Sequence, residues 1–307
     1  MNLAKNKRII RKSSTYKEKT SSDSKISPLL KKYQTWIKKR RQKKSPALTF
    51  TPDLKNSKDL AAILAAGGLV VIPWGSLERQ IYCLIGCFDI PNVTKLMNEA
   101  KGRTSNQALA VGCLPHHIPS IAEVESSVPL KNAMNNLNET DLINFLTRCF
   151  DRSIGLVFKA KSHLSQEVTI TTQIGRTIMI AGEKPLDSEN DIYNQTLHEL
   201  YESYGKVIAG TSANPSSGTV FSIFDQDEAY KTLKLKVDAF VKHDKPLQKP
   251  SDKLYLTSST IIDLTSEKPI VIRWGNLHPD KFKDIFADLI IPENVTKNPN
   301  ADDSINP

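Results

Sequence analysis

Three short stretches of this 307-residue chain carry side chains that could bind an anion. Lys101-Gly102-Arg103 places two cations two residues apart. They project together if a helix ends there and the chain turns extended. Arg273, before Trp274-Gly275, offers a planar guanidinium that can grip two phosphate oxygens at once. Ser212 and Asn214, within Thr211-Ser212-Ala213-Asn214-Pro215-Ser216-Ser217-Gly218, and Ser259 supply neutral hydroxyl and amide groups, which orient a ligand without adding charge. Each stretch also has a plainer reading. Lys and Arg at a helix C-terminus complement the macrodipole, with Gly as the cap. Thr-Ser-Ala-Asn-Pro-Ser is turn chemistry wherever it occurs, and Arg273 could be a surface residue at a strand end. His116-His117 looks like an acid–base or metal pair, but adjacent residues do not share a helix face, so a loop pair is expected. Cys83, Cys87, Cys113 and Cys149 show no CxxC pair or zinc spacing, and three of them sit in apolar stretches, where a free Cys acts as a small core hydrophobe.

The elements that must position these groups alternate along the chain. Apolar runs at 69–73, 108–114, 154–160, 176–182, 206–212, 259–265 and 269–275 read as strands. Helices are expected at 91–100, 138–150, 189–204, 225–234 and 279–290, the second opened by the capping pattern that begins at Asn138. Such interleaving predicts an α/β fold, a mixed sheet covered by helices. Before it, residues 1–27 are rich in Lys, Ser and Thr and should be disordered. Ser27-Pro28 then opens a short basic amphipathic helix, with Leu29, Leu30, Tyr33, Trp36 and Ile37 at helical spacing and Pro46 closing it. The expected organisation is a basic tail over 1–46, a domain over 47–292 and a polar tail over 293–307.

Charge is unevenly spread. Residues 1–46 hold sixteen Lys or Arg against Glu18 and Asp23, a net of +14; the whole chain is +9, which leaves −5 for the rest. An argument from basicity to nucleic acid is therefore an argument about the N-terminal segment. There it competes with a membrane or targeting segment and with a merely solubilising tail. No apolar run approaches the roughly 18–20 residues of a membrane span, and the first residues lack the apolar stretch of a secretory signal. Free cysteines and no leader make a cytoplasmic location the simplest expectation.

Four segments, taken in order, resemble the threonylcarbamoyl-AMP synthase (YrdC-like) family. Lys101-Gly102-Arg103, with Asn106-Gln107 and the following strand, is similar to the family's Lys-x-Arg motif. Thr211 to Gly218 resembles its Ser-x-Asn motif, with one extra residue before the glycine. Ser259-Thr260-Ile261-Ile262-Asp263 looks like its Ser-Thr-Val-Val-Asp strand, and Ile272-Arg273-Trp274-Gly275 like its Leu-Arg-x-Gly turn. The resemblance spans about residues 58–290. It implies a twisted mixed sheet around a cavity for an anionic ligand. It also implies an enzyme that joins ATP, bicarbonate and threonine into threonylcarbamoyl-AMP and pyrophosphate for tRNA modification, with Mg²⁺ accompanying the ATP. Lys101, Arg103, Ser212, Asn214, Ser259 and Arg273 would then bind nucleotide or substrate.

Two stretches depart from that family. Where it has Pro-Thr-(Asp/Glu)-Thr-x-Tyr-Gly-Leu, this chain has Pro73-Trp74-Gly75-Ser76-Leu77-Glu78-Arg79-Gln80-Ile81-Tyr82-Cys83-Leu84. Ser76 and Tyr82 remain as candidates at the mouth of the site. Ile180 stands where an arginine is expected. Three readings follow: the synthase itself, a related carbamoyl or acyl transferase with another acceptor, or a protein that binds nucleotide or RNA without turnover, the basic tail serving as an RNA arm.

Overall fold

Leu69-Val70-Val71-Ile72 has no polar residue, so a strand built from it must be covered on both faces. The computed structural model describes residues 27–74, 81–103, 109–134, 138–152, 154–166, 168–181, 192–213, 226–243, 259–275 and 282–297. Its strands are β1 (Leu48–Phe50), β2 (Val70–Trp74), β3 (Ile81–Cys87), β4 (Ala110–Gly112), β5 (Ile154–Lys159), β6 (Ile170–Thr172), β7 (Gly175–Ile180), β8 (Ile208–Ser212), β9 (Ala239–Val241), β10 (Thr260–Asp263), β11 (Ile270–Trp274) and β12 (Thr296–Lys297). They form one mixed sheet in the order β1-β9-β2-β3-β8-β4-β7-β5-β10-β11-β12, with β6 paired to β7. Helices are α1 (Pro28–Lys43), α2 (Ser57–Ala65), α3 (Val93–Ala100), α4 (Ile118–Ile121), α5 (Val128–Ala133), α6 (Glu139–Asp151), α7 (Ile192–Tyr204) and α8 (Gln226–Leu233).

Alternation along the central strands fills two separate cores. Leu69, Val71, Tyr82 and Leu84 enter one, with Val93 and Met97 of α3 and Leu142, Phe145 and Leu146 of α6. Val70, Ile72, Cys83, Ile85 and Cys87 enter the other, under α2, α7 and the apolar stripe of α1. Gly86 lets α3 close on β3, because a Cβ there would lie 2.6 Å from a Val93 methyl. All four cysteines are buried and free. His117 is buried in a 3-10 turn and stacks on Tyr201 at 3.6 Å. Burial, then the neighbouring His116 and His198, push its pKa down to about 3.

The strands and helices expected from periodicity form close to their places, with three corrections. The helix expected at 279–290 is absent from 282–290. Phe282, Ile285 and Phe286 are buried there, but Ile290 is drawn into a bridge with Ile270, and turns replace the helix. The polar segment after 292 is not all tail, since Thr296 and Lys297 pair with Arg273 and Trp274. The boundary at residue 46 does not separate a tail from the domain. Residues 1–26, expected to be disordered, lie outside the described residues.

Helix α1 is held to the domain by more than its apolar stripe. Tyr33 and Ile37 are buried, and the Tyr33 hydroxyl donates to Asp59 at 2.5 Å. Asp238, 1% exposed, forms ion pairs with Arg40 at 3.3 Å and Arg41 at 2.6 Å and accepts the Leu69 N–H at 2.9 Å. Arg40 also donates to the Val237 carbonyl. One carboxylate thus joins α1 to the start of β2 and to β9.

Breaking a buried ion pair from one side strands the other charge. Asp238→Ala is therefore expected to cost about 3 kcal/mol or more in urea unfolding. Arg41→Ala, whose side chain is 35% exposed, should cost well under half as much.

Candidate anion-binding site

The Lys-Gly-Arg stretch has its geometry from the way α3 stops. Gly102 has φ +70°, a left-handed conformation that favours glycine. Its N–H donates to the Glu99 carbonyl at 3.0 Å, and the Arg103 N–H reaches back to Asn98 at 2.9 Å, which together make a Schellman cap. The helix-cap reading of this stretch is therefore correct. The cap also reverses the chain, so Lys101 and Arg103 come to the same neighbour. Lys101 Nζ donates to the Ser212 carbonyl at 2.6 Å and to Thr211 Oγ1 at 3.2 Å. Arg103 reaches Thr211 Oγ1 at 3.4 Å and Asn98 Oδ1 at 3.0 Å. Asn98 is itself buried and fixed to the Thr94 carbonyl at 3.1 Å. Thr211 and Ser212 are presented by the end of β8, where Ser212 pairs with Cys83 of β3.

Lys101 is only 6% exposed. Among the described residues it has no carboxylate partner, and its two hydrogen bonds leave one N–H unused. Burial, then the charge of Arg103, push its pKa down to about 8. Arg103 is also lowered, by burial. A desolvated ammonium held beside a second positive charge is costly alone and well suited to an incoming anion.

A second group forms where β10 begins and β11 ends. The Arg273 guanidinium points its Nε and Nη2 at the Ser259 carbonyl, at 3.3 and 3.0 Å. The Gly275 N–H donates to Thr260 Oγ1 at 3.0 Å. An irregularity between Ile261 and Ile262 shifts the β10–β11 register just there, a usual way to re-aim a side chain. Burial lowers the Arg273 pKa, and no carboxylate pairs with it among the described residues.

Lys101, Arg103 and Ser212 are thus brought together, and Ser259 is brought to Arg273. The two groups sit on strands that are not neighbours: β4, β7 and β5 lie between β8 and β10. Asn214 and Ser76 lie outside the described residues. Tyr82 does not stand at a mouth: it is fully buried, packs on Phe240 and donates to Gln226 at 2.6 Å. Ile180 is also fully buried, in the core. Sequence reasoning passed over Thr211, which receives both cations; its position beside Ser212 in the quoted stretch was the available signal. A surface hollow of about 540 Å³ lined by Leu54, Lys55, Ser57, Lys58, Gln195 and Glu199 holds none of these residues.

A mixed sheet with helices on both faces and buried cations at its strand ends defines an α/β protein. The chain belongs to the Sua5/YciO/YrdC family, described as telomere recombination, which matches residues 62–275. Among solved structures it is similar to a doubly substituted P. abyssi Sua5, at 18% identity and TM-score 0.57, with 80% of this chain and 62% of that one covered. P. abyssi Sua5 complexed with L-threonine gives 18%, 0.55 and the same coverage. E. coli YciO gives 18% and 0.53, over 75% of this chain and 96% of that one. The match therefore spans about three fifths of P. abyssi Sua5. No curated protein sequence matches the chain.

The Lys101 proton makes a pH test. An anion beside the ammonium favours its charged form, so its pKa must rise on binding. With the free value at about 8, ATP affinity is expected to fall as pH rises through 8–10. Calorimetry at about pH 9 in buffers of different ionisation enthalpy should show proton uptake on binding. Lys101→Met should remove both effects.

Proposed function

We propose that this protein is a threonylcarbamoyl-AMP synthase-like enzyme, which joins ATP, bicarbonate and threonine into threonylcarbamoyl-AMP for tRNA modification and releases pyrophosphate. The observation that carries this reading is Lys101, buried beside Arg103 with, among the described residues, only neutral oxygens for its own partners. Family membership supports it, and so does the L-threonine held by one structurally similar protein. In this reading Lys101 and Arg103 neutralise charge on the phosphates or the developing carbamate. Thr211, Ser212 and Asn214 orient the ligand, and Arg273 with Ser259 grips a second anionic part of it. Among the described residues no cluster of three His, Cys, Asp or Glu side chains could hold a metal ion. The site's donors suit phosphate oxygens, so Mg²⁺ would be carried by the nucleotide's phosphates and water, where it supplies charge neutralisation.

A second reading, a carbamoyl or acyl transferase with another acceptor, is favoured by two side chains. Ile180 is in the core where the family resemblance implies a cation, and Tyr82 is committed to Gln226.

The readings separate on pyrophosphate release. The synthase should release it only with threonine added; ATP consumption without threonine dependence would select the second reading. Lys101→Ala and Arg273→Ala should each raise the Kd for ATP ten- to a hundredfold, the loss of a charge-assisted contact of about 1.5–3 kcal/mol. Unchanged ATP binding in both single variants, with the fold intact, would sink the assignment.

A further inference from the structure

Helix α1 lies outside the part of the chain that the family match covers, residues 62–275. Its charge is unusual for a helix packed on a domain. The helix holds seven Lys or Arg and no acidic residue in its first turn, where the macrodipole favours negative charge. Arg40 and Arg41 are spent on Asp238. Lys31, Lys32, Lys38, Lys39 and Lys43 are exposed. Among the described residues none of the five forms an ion pair, though Lys32 sits 4.8 Å from the Tyr33 ring centre. At about 100° per residue all five fall within an arc of about 140°, opposite the buried Tyr33, Ile37 and Arg40. Lys31 to Lys38 and Lys32 to Lys39 each span about 10 Å along the axis.

Docking decides what such a face can bind. A basic amphipathic helix that lies on a membrane inserts its apolar side between lipids. Here that side is used up: Tyr33 and Ile37 are buried, and Leu29, Leu30 and Trp36 pack against the same core. What faces outward is a row of ammonium groups, with Leu29, Leu30 and Trp36 partly buried against the domain. Like charges held together this way repel, and a chain of phosphates relieves the repulsion by counterion release.

We propose that the lysine face of α1 is an RNA-docking surface, engaging the phosphate backbone without reading bases. The choice of RNA among polyanions rests on the tRNA-linked function proposed above. This places the contact on a helix fixed to the domain, and not on a loose arm.

The test uses the full chain and a tRNA transcript, with affinity followed by fluorescence anisotropy across a salt series. One variant carries Lys31→Gln, Lys32→Gln, Lys38→Gln, Lys39→Gln and Lys43→Gln. A second replaces the eight Lys and Arg of residues 1–26 with Gln. The helix variant should bind at least about tenfold more weakly at low salt, and its salt slope should fall by up to about five units, since each lost phosphate contact removes about one. The second variant should keep most of the affinity. Unchanged binding by the helix variant, or loss confined to the second variant, overturns the proposal. So does binding to phosphatidylserine vesicles in place of RNA. Threonine-dependent pyrophosphate release, measured in the same proteins, keeps the two readings apart. If release fails while the helix variant still loses RNA, the surface stands without the synthase.

Discussion

Both faces of the sheet are apolar, and both must be covered. Leu69 and Val71 point into one core while Val70 and Ile72 point into the other. Polar chemistry is thereby pushed to the ends of strands and helices, where the chain turns. The anion-type residues stand there: Lys101 and Arg103 at the end of α3, Thr211 and Ser212 at the end of β8, Ser259 before β10 and Arg273 near the end of β11. The second layer also needs a cover for the outer side of α2, and α1 supplies it through Tyr33 and Ile37.

The same logic explains how the cations are arranged. A buried ammonium costs several kcal/mol unless something compensates it, and proteins usually supply a carboxylate. Asp238 does this for Arg40 and Arg41, and that group is structural. Among the described residues Lys101 and Arg273 are given only carbonyl and hydroxyl oxygens. The contrast within one molecule separates cations paired with a carboxylate from cations given only neutral oxygens among the described residues. Burial, then the charge of Arg103, holds the Lys101 pKa down at about 8.

Helix capping and ligand chemistry are not rival explanations of Lys101-Gly102-Arg103. Gly102 permits the left-handed turn, the turn satisfies the last carbonyls of α3, and the reversal aims both cations at Thr211. Arg273 shows a parallel economy: a β10–β11 register shift turns its side chain onto Ser259, while Thr260 Oγ1 ties down Gly275. The order Ser259-Thr260 and then Arg273-Trp274-Gly275 is one hydrogen-bonded unit written in two places.

Much of the architecture could be read from the chain alone, because local periodicity and caps are short-range effects. The strands at β2, β5 and β7, the helix α6 with its Asn138 cap, and the alternation that marks an α/β protein all depend on neighbours within a few residues. The cation-bearing stretches were visible for the same reason: residue type and spacing are local. Pairings between distant parts of the chain were not. Nothing near residue 290 announces that Ile290 will bridge to Ile270, and that contact, made only in the fold, displaced the expected helix. Tyr82 could not be assigned from its neighbours either, since its partner Gln226 is 144 residues away. The +14 of residues 1–46 reads as a loose tail because its counter-charge is hidden; Asp238 lies far along the chain and meets Arg40 and Arg41 only once β9 joins the sheet beside β2. Composition determines that the charges exist, but only burial and long-range pairing decide which of them hold the molecule together and which are left to face a partner.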